Sequence, residues 1–441
     1  MPRNAIIVDS SVLIHDPDAI EVLLEDGRNT LIVPWSVVIE LGKLRNKPDF
    51  SLDALTAIEK LEALRTKNDS SLQMVKNPDF SGLEYLNRND PAHQVLAAAR
   101  SLNSEKHRYD NVKLVSRDPA LRLLARDLGY NMEVGDYRHN QVGPLFHEPM
   151  KVVRVSIDQI SEDGETFPFV SAEHEGVALN EAVICESDYD PEVQESSVWG
   201  QRFVAIRKER NFHIVPPDID LVGLRPASMN GNGANWTQHA AMGLLKDRDV
   251  QLVFLEGVAG TGKTLLALAA GLEQKQHYKR IVITRPMIHL EDVDRMGFLP
   301  GDEEAKMSPW ARPIEQALVF LGQVDGRSNQ KTIDQMRNRG GLILEPLDYI
   351  RGMTYHHVYL IIDEAQNLTP HMIKTIITRA GRDTKIVFTG DLDQIDRSRV
   401  DRRSSGLAYA IKKMVGNRIV GIVTFHDTVR SPLASLGQEV L

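Results

Sequence analysis

Residues 251–273 read QLVFLEGVAGTGKTLLALAAGLE: an apolar run of strand length, a glycine-rich turn, then an Ala/Leu-rich run of helical length. Strand, turn and helix in that order form a βα unit whose turn has the pattern G-x-x-x-x-G-K-T. Gly257, Gly260 and Gly262 allow the backbone to aim its amides at phosphate oxygens, and the following helix adds the positive end of its dipole. The nucleotide contacts expected here run through Gly257, Val258, Ala259, Gly260, Thr261, Gly262, Lys263, Thr264 and Leu265. Lys263 is expected to reach the β- and γ-phosphates of ATP, and the Thr264 hydroxyl to bind Mg2+.

Further along, HHVYLIIDEAQNLTP (356–370) is a buried strand ending in two acids. At the carboxyl end of a parallel strand they should face the phosphates. Asp363 is expected to hold the metal through water and Glu364 to polarise an attacking water, which suits hydrolysis better than phosphotransfer to a small molecule. A third strand, TKIVFTGDLDQID (384–396), places Thr389, Gly390, Asp391 and Gln394 where a γ-phosphate sensor would sit. Upstream, Gln238 in NWTQHAAMGLL has an amide able to pair with an adenine edge. Arg430 in HDTVRSPL is a candidate cation for the transition state, acting within one subunit or on a neighbour.

Around this unit, 441 residues are too many for one ordinary core, so two or three domains are expected. The formal net charge of −9 argues against a protein that coats nucleic acid through bulk charge, so any polynucleotide site must be local. A single cysteine, Cys185, excludes an internal disulfide and a thiolate zinc cluster, and fits a reducing cytoplasm. The opening MPRNAIIVDSSVLI is interrupted by Asp9 and reads as a first strand, and no run approaches membrane-spanning length.

Strand and helix patterns alternate from AIIVD to about Tyr137, the rhythm of a parallel sheet covered by helices. From about Met150 to Leu224 short alternating segments indicate a small β-rich middle domain. Its acidic stretches SEDGETFPFVSAEHEG and ESDYDPEVQESS read as solvated loops. The Gly/Asn-rich break PASMNGNGAN leads into the last part. The expected fold class is therefore α/β, with domains at 1–140, 141–225 and 226–441.

The run from about Asn235 to Pro432 resembles the PhoH family of RecA-like P-loop ATPases. The matching segments are GVAGTGKT, ITRP (283–286), GFLPGDEEAKMSPW (297–310), YIRGMTY (349–355), IIDEAQN (361–367) and TGDLDQID (389–396). The resemblance implies nucleotide hydrolysis in a homo-oligomeric ring, with a hexamer favoured, and places Arg285 near polynucleotide or nucleotide. Only one RecA-like unit is visible, so movement along a strand would require neighbouring subunits.

In the first part, acids at strand or helix ends are candidates for metal-dependent phosphodiester cleavage: Asp9 in IIVDSS, Glu40 in VVIELGKL, Asp90 before PAHQVLAAA, and Asp118 before PALRLLA. Asp90-Pro91 and Asp118-Pro119 are also good helix-start signatures. VDSSVLI, WSVVIELGKL, NDPAHQVLAAA and VSRDPALRLLA together resemble a PIN domain, a small α/β/α nuclease fold. That resemblance implies Mg2+ or Mn2+ held by Asp9, Glu40, Asp90 and Asp118, with Ser11 and Ser116 in support.

The combined expectation is ATP-dependent RNA processing, a helicase-like ATPase feeding single-stranded or structured RNA to a ribonuclease. Two other readings stand beside it: an ATP-controlled oligomeric RNA-binding module with a silent nuclease, and a nuclease that uses ATP only to assemble.

Overall fold

The computed structural model describes residues 4–426 except 26–27, 47–49, 68, 105–107, 128–131, 140–148, 171–173, 189–201, 230–232, 287–302, 325, 351–352, 397–399 and 403. The chain divides into two compact units, residues 1–141 and residues 142–441, the second without the short stretches 369–371 and 397–400. No helix among the described residues is long and apolar enough to cross a membrane.

In the first unit the strands are β1 (Asn4–Val8), β2 (Asn29–Pro34), β3 (Leu72–Val75), β4 (Asn111–Val115) and β5 (Glu133–Gly135). They form one sheet in the order β3-β2-β1-β4-β5, every pairing parallel. The helices are α1 (Ser10–His15), α2 (Ala19–Leu24), α3 (Trp35–Leu44), α4 (Ser51–Thr66), α5 (Pro91–Ser104) and α6 (Pro119–Asp127). Ile7, Leu31, Val33, Val95, Leu96 and Leu114 belong to its core. The chain builds outward from β1 to β3 and then returns to β4 on the other side of β1. The crevice of such a switch opens at the carboxyl ends of β1 and β4, where Val8 pairs with Val115. The next residues are Asp9 and Ser116.

The second unit begins with a small sheet of β6 (Val152–Val155), β7 (Thr166–Pro168), β8 (Ala182–Ser187), β9 (Arg202–Arg207) and β10 (Asn211–Ile214), ordered β6-β8-β9-β10-β7. SEDGETFPFV is more than a solvated loop: it supplies β7, because Phe167 is buried and stacks on Phe212 with ring centroids 4.8 Å apart. The second acidic stretch lies largely outside the described residues. The pair β11 (Ser228–Met229) and β12 (Gly233–Ala234) then leads to α7 (Trp236–Lys246).

Six strands follow: β13 (Leu252–Gly257), β14 (Arg280–Thr284), β15 (Leu342–Leu344), β16 (Val358–Ile362), β17 (Lys385–Gly390) and β18 (Val420–Phe425). Their sheet is parallel throughout, in the order β15-β14-β16-β17-β13-β18. The helices are α8 (Lys263–Glu273), α9 (Glu303–Val324), α10 (Gly326–Asn338), α11 (Pro370–Ile377) and α12 (Gly406–Met414). The central strands β13, β16 and β17 are buried along their whole length, as a parallel sheet covered on both faces requires.

Period-two alternation in β9 joins the small sheet to the large one. Phe203 and Ala205 enter the small sheet's own core, whereas Val204 and Ile206 join Ala240, Ala241 and Leu244 of α7 in the main core. A Cβ at Gly243 would lie 2.8 Å from a Val215 methyl and 2.9 Å from the Ile206 Cδ1, so any larger residue would have to push these side chains aside. Asn180 Nδ2 donates to the carbonyls of Arg418 (2.8 Å) and Val420 (3.1 Å). Lys208 pairs with Asp247, the residue that ends α7.

The other end of that tie is Lys385, buried at the start of β17, whose Nζ donates to the carbonyls of Leu244 (2.9 Å), Leu245 (2.7 Å) and Asp247 (2.7 Å). It satisfies carbonyls that the end of α7 would otherwise leave open. Burial pushes the Lys385 ammonium down to about 7, against the pull of Asp247. An unfolded lysine keeps its proton to the ordinary lysine range, so above pH 7 the unfolded state binds more protons and stability rises with pH, by at most about 1.4 kcal/mol per unit. Below that both states are charged and the contribution is flat. The thermal midpoint of the wild type is expected to gain on that of Lys385→Met between pH 7 and 9, measured by calorimetry on both proteins.

Candidate functional site

Two groups of strand-end residues face the carboxyl edges of the two parallel sheets. In the larger sheet β13 runs into the glycine-rich turn, and Gly257 has φ 139°. A Cβ there would sit 2.2 Å from the carbonyl oxygen of Phe425, so the turn needs glycine to pass β18. Lys263 Nζ donates to the carbonyls of Gly257 (2.6 Å) and Val258 (2.7 Å) and approaches Thr261 Oγ1 at 3.3 Å, drawing the loop into a ring. Burial lowers the Lys263 pKa, and Asp391, Glu256, Asp363 and Glu364 act against that shift by favouring the charge.

Thr264 on α8 and Thr389 on β17 both donate to the same Asp363 oxygen, at 2.8 and 2.6 Å. Three elements therefore converge on one carboxylate beside the loop. The set consists of hard oxygen donors, the chemistry a magnesium ion prefers. Next to it Glu364 adopts a left-handed backbone conformation, φ 54° and ψ 39°. For a non-glycine residue that costs roughly 1–3 kcal/mol and persists only where its surroundings fix it. Arg285 Nη2 donates to Glu364 Oε1 at 2.8 Å, and Gln366 Nε2 donates to Glu364 Oε2 at 2.5 Å. Burial raises the Glu364 pKa and repulsion from Asp363 adds to it, while Arg285 and Gln366 lower it.

Gln366, which no local sequence pattern marks, is fully buried and ties this edge together. Its amide also donates to the Gln394 carbonyl (2.9 Å) and accepts from the Asp391 N–H (3.1 Å). In the sequence it is one of several polar residues in DEAQNLTP, with nothing local to set it apart from Asn367 or Thr369. Asp391 is buried, whereas Gln394 meets Gln366 through its backbone carbonyl and is itself exposed. Gln238 is buried, and both ends of its amide are engaged: Nε2 donates to Thr261 O (2.9 Å) and Oε1 accepts from Ala227 N (2.7 Å). Pairing with an adenine edge would require one of these bonds to exchange. Val258, Ala259 and Leu265 are half-buried and Gly260 exposed. Arg430 lies outside the described residues, as do parts of 297–310 and 349–355.

At the edge of the smaller unit Asp9 is buried and accepts from Ser11 Oγ (2.7 and 2.9 Å), Ser116 Oγ (2.7 Å) and the Val12 N–H (3.3 Å). Burial raises its pKa and the nearby Asp118 charge adds to that, against the three hydrogen-bonding partners. Ser116 Oγ also accepts from the Asp118 N–H at 2.9 Å, so one hydroxyl links the two acids. Asp118 and Asp90 each commit one oxygen to a helix start, Asp118 to Ala120 N (2.8 Å) and Asp90 to Ala92 N (2.8 Å). Glu40 is half-buried on α3. Among the described residues no three His, Cys, Asp or Glu side chains converge closely enough to hold a metal ion. Asp9 and Asp118 are thus drawn together and the four-acid cluster is not assembled. The oxygen donors of this pair and its serines are nonetheless of the kind a hard divalent cation takes.

Comparison with known proteins agrees with this division. Residues 6–135 match the PIN domain family and residues 232–440 match the family described as PhoH-like protein. Over 452 aligned residues the chain is 30% identical to "Protein PhoH2" of Thermobispora bispora, covering 99% of this chain and 96% of that protein. It is also 30% identical to "Protein PhoH2" of Bacillus subtilis, covering 99% of each. A "PhoH-like protein" of Bacillus subtilis is 38% identical over 42% of this chain and 56% of its own length.

Proposed function

The chain belongs to the PhoH2 family, a PIN domain fused to a PhoH-type ATPase domain, and from that premise we propose an ATP-dependent RNA-processing enzyme: an RNA helicase-like ATPase coupled to a metal-dependent endoribonuclease. The observation that supports it most is the meeting of Thr264, Thr389 and Asp363 beside the Lys263 loop, with Glu364 held next to them by Arg285. In this reading the loop amides bind the phosphates and Lys263 turns from the Gly257 and Val258 carbonyls to the β- and γ-oxygens. A divalent ion, when bound, neutralises the developing phosphate charge. Thr264 and Asp363 would hold it. Glu364 accepts a hydrogen bond from the attacking water, and its raised pKa makes it a stronger base. Arg285 orients that carboxylate, so a strand acting on Arg285 would alter the base. Gln394 and Arg430 complete the proposed phosphate end, and Gln238 the adenine end.

In the PIN domain Asp9 and Asp118 are the central pair, with Glu40 and Asp90 joining as further ligands. A divalent metal there would polarise the scissile phosphate and supply hydroxide. Domain limits of 1–140, 141–225 and 226–441 belong to the same proposal, as do a ring of copies, a hexamer in the simplest case, and a cytoplasmic setting. Glu364→Gln tests the hydrolytic assignment. It keeps the shape of the side chain and the bond to Gln366 can re-form, so ATP binding should persist while phosphate release falls about 100-fold. Unchanged turnover would move the base elsewhere.

A further inference from the structure

The carboxyl edge of the PIN sheet carries more than acids. Pro34 of β2 pairs with Val75 of β3, and the next residues on the two strands are Trp35 and Lys76. Ile7 of β1 pairs with Ile32 of β2, and Asp9 and Trp35 follow these two strands two and three residues on. In the sheet order β3-β2-β1-β4 the residues that follow the four strands are therefore Lys76, Trp35, Asp9 and Ser116.

Trp35 opens α3 with 43% of its surface exposed, unusual for the largest apolar side chain, and Ile39 one turn on is 55% exposed. Lys76 is exposed too, and its Nζ lies 4.8 Å from the centre of the Trp35 ring. Local folding does not require this tryptophan to be in solvent, since Val37, Leu41 and Leu44 form the buried face of α3. An exposed aromatic with a cation over it, next in line to a phosphodiester-cleaving centre, has the composition of a stacking site for an unpaired base.

We propose that Trp35 and Lys76 form a platform for single-stranded nucleic acid. A base stacks on the indole, Lys76 meets the adjoining phosphate, and the next phosphate is delivered to Asp9. The aromatic selects unpaired strands, because a base inside a duplex has no free face to offer. The proposal rests on the nuclease reading of Asp9, and it names what that centre accepts.

The test uses the full chain and a labelled single-stranded RNA of mixed sequence, beside a duplex of equal length. Stacking on Trp35 quenches its fluorescence, so Asp9→Asn should show quenching that the double variant Asp9→Asn/Trp35→Phe lacks. In cleavage assays with Mn2+ and no ATP, Trp35→Ala and Trp35→Leu should raise KM about ten-fold with kcat nearly unchanged, Trp35→Phe should restore much of it, and Lys76→Ala should steepen the loss with salt less than wild type does. Equal quenching with and without Trp35, or equal KM in wild type and Trp35→Leu, overturns the platform. So does a result in which Trp35→Ala changes the oligomeric state by light scattering and leaves RNA binding alone, which would make this face a protein contact. If wild type and Asp9→Asn are equally inactive, the nuclease reading fails, and the quenching measurement decides the platform by itself.

Discussion

Lys263→Ala should abolish ATP turnover, lowering phosphate release by about 1,000-fold, the loss that follows when a preorganised cation is removed from developing phosphate charge. The side chain does two things in the structure: it closes the loop through the carbonyls of Gly257 and Val258, and it places a positive charge among Asp391, Glu256, Asp363 and Glu364. The first role is structural and would show as a fall in thermal midpoint. The second belongs to the proposed chemistry and would show in turnover instead. Because burial works against the ammonium, the variant's midpoint should stay close to the wild-type value while turnover is lost. Lys263→Met, which keeps the bulk without the charge, should be equally inactive. Substantial turnover in a folded Lys263→Ala would remove the loop from the chemistry.

Asp9→Asn should produce the complementary phenotype. Metal-dependent RNA cleavage is expected to fall about 1,000-fold, because the amide oxygen that replaces the carboxylate is a neutral and much weaker ligand and does not supply charge to a divalent ion. Folding should be unharmed. The Ser11 and Ser116 hydroxyls can still donate to an amide oxygen, and the buried charge that desolvation disfavours is gone. ATP turnover should remain within about two-fold of wild type, as expected for substitutions that share no partners. Loss of both activities in a folded protein would contradict separate centres.

How much of this was legible in the residues differs by level. The glycine-rich turn, the Asp363-Glu364 pair and the strand ending at Gly390 are local patterns, and a parallel sheet announces its strands as continuous apolar runs. Asp9 is visible for the same reason: it interrupts an apolar strand. What the sequence hides is pairing between distant segments. Arg285 and Glu364 lie 79 residues apart and meet only because β14 and β16 are neighbours in the sheet. The Gln366 side-chain amide serves three partners, two of which belong to the segment after β17. Lys385 looks like an ordinary lysine at the start of a strand, yet it closes a helix 138 residues earlier. The acidic stretch around Phe167 misleads in the opposite sense, because charge marks the turn and conceals the strand that one aromatic pulls into a core.

Resemblance and geometry also divide the labour between the two centres. At the Lys263 loop, Thr264, Thr389, Asp363, Glu364, Arg285 and Gln366 are joined by hydrogen bonds, whereas in the PIN domain Asp9 and Asp118 share Ser116 and no group of three or more acids among the described residues converges. Coupling between the centres is accordingly the claim that experiment must carry.

The most direct measurement is incubation of wild type, Asp9→Asn and Lys263→Ala with structured RNA and with the matching DNA, each with and without ATP and divalent metal. The expected result is metal-dependent cleavage of structured RNA that ATP stimulates in wild type, no cleavage by Asp9→Asn despite RNA-stimulated ATP turnover, and ATP-insensitive cleavage confined to unpaired regions by Lys263→Ala. ATP turnover indifferent to either nucleic acid, with cleavage unchanged in Lys263→Ala, would contradict it.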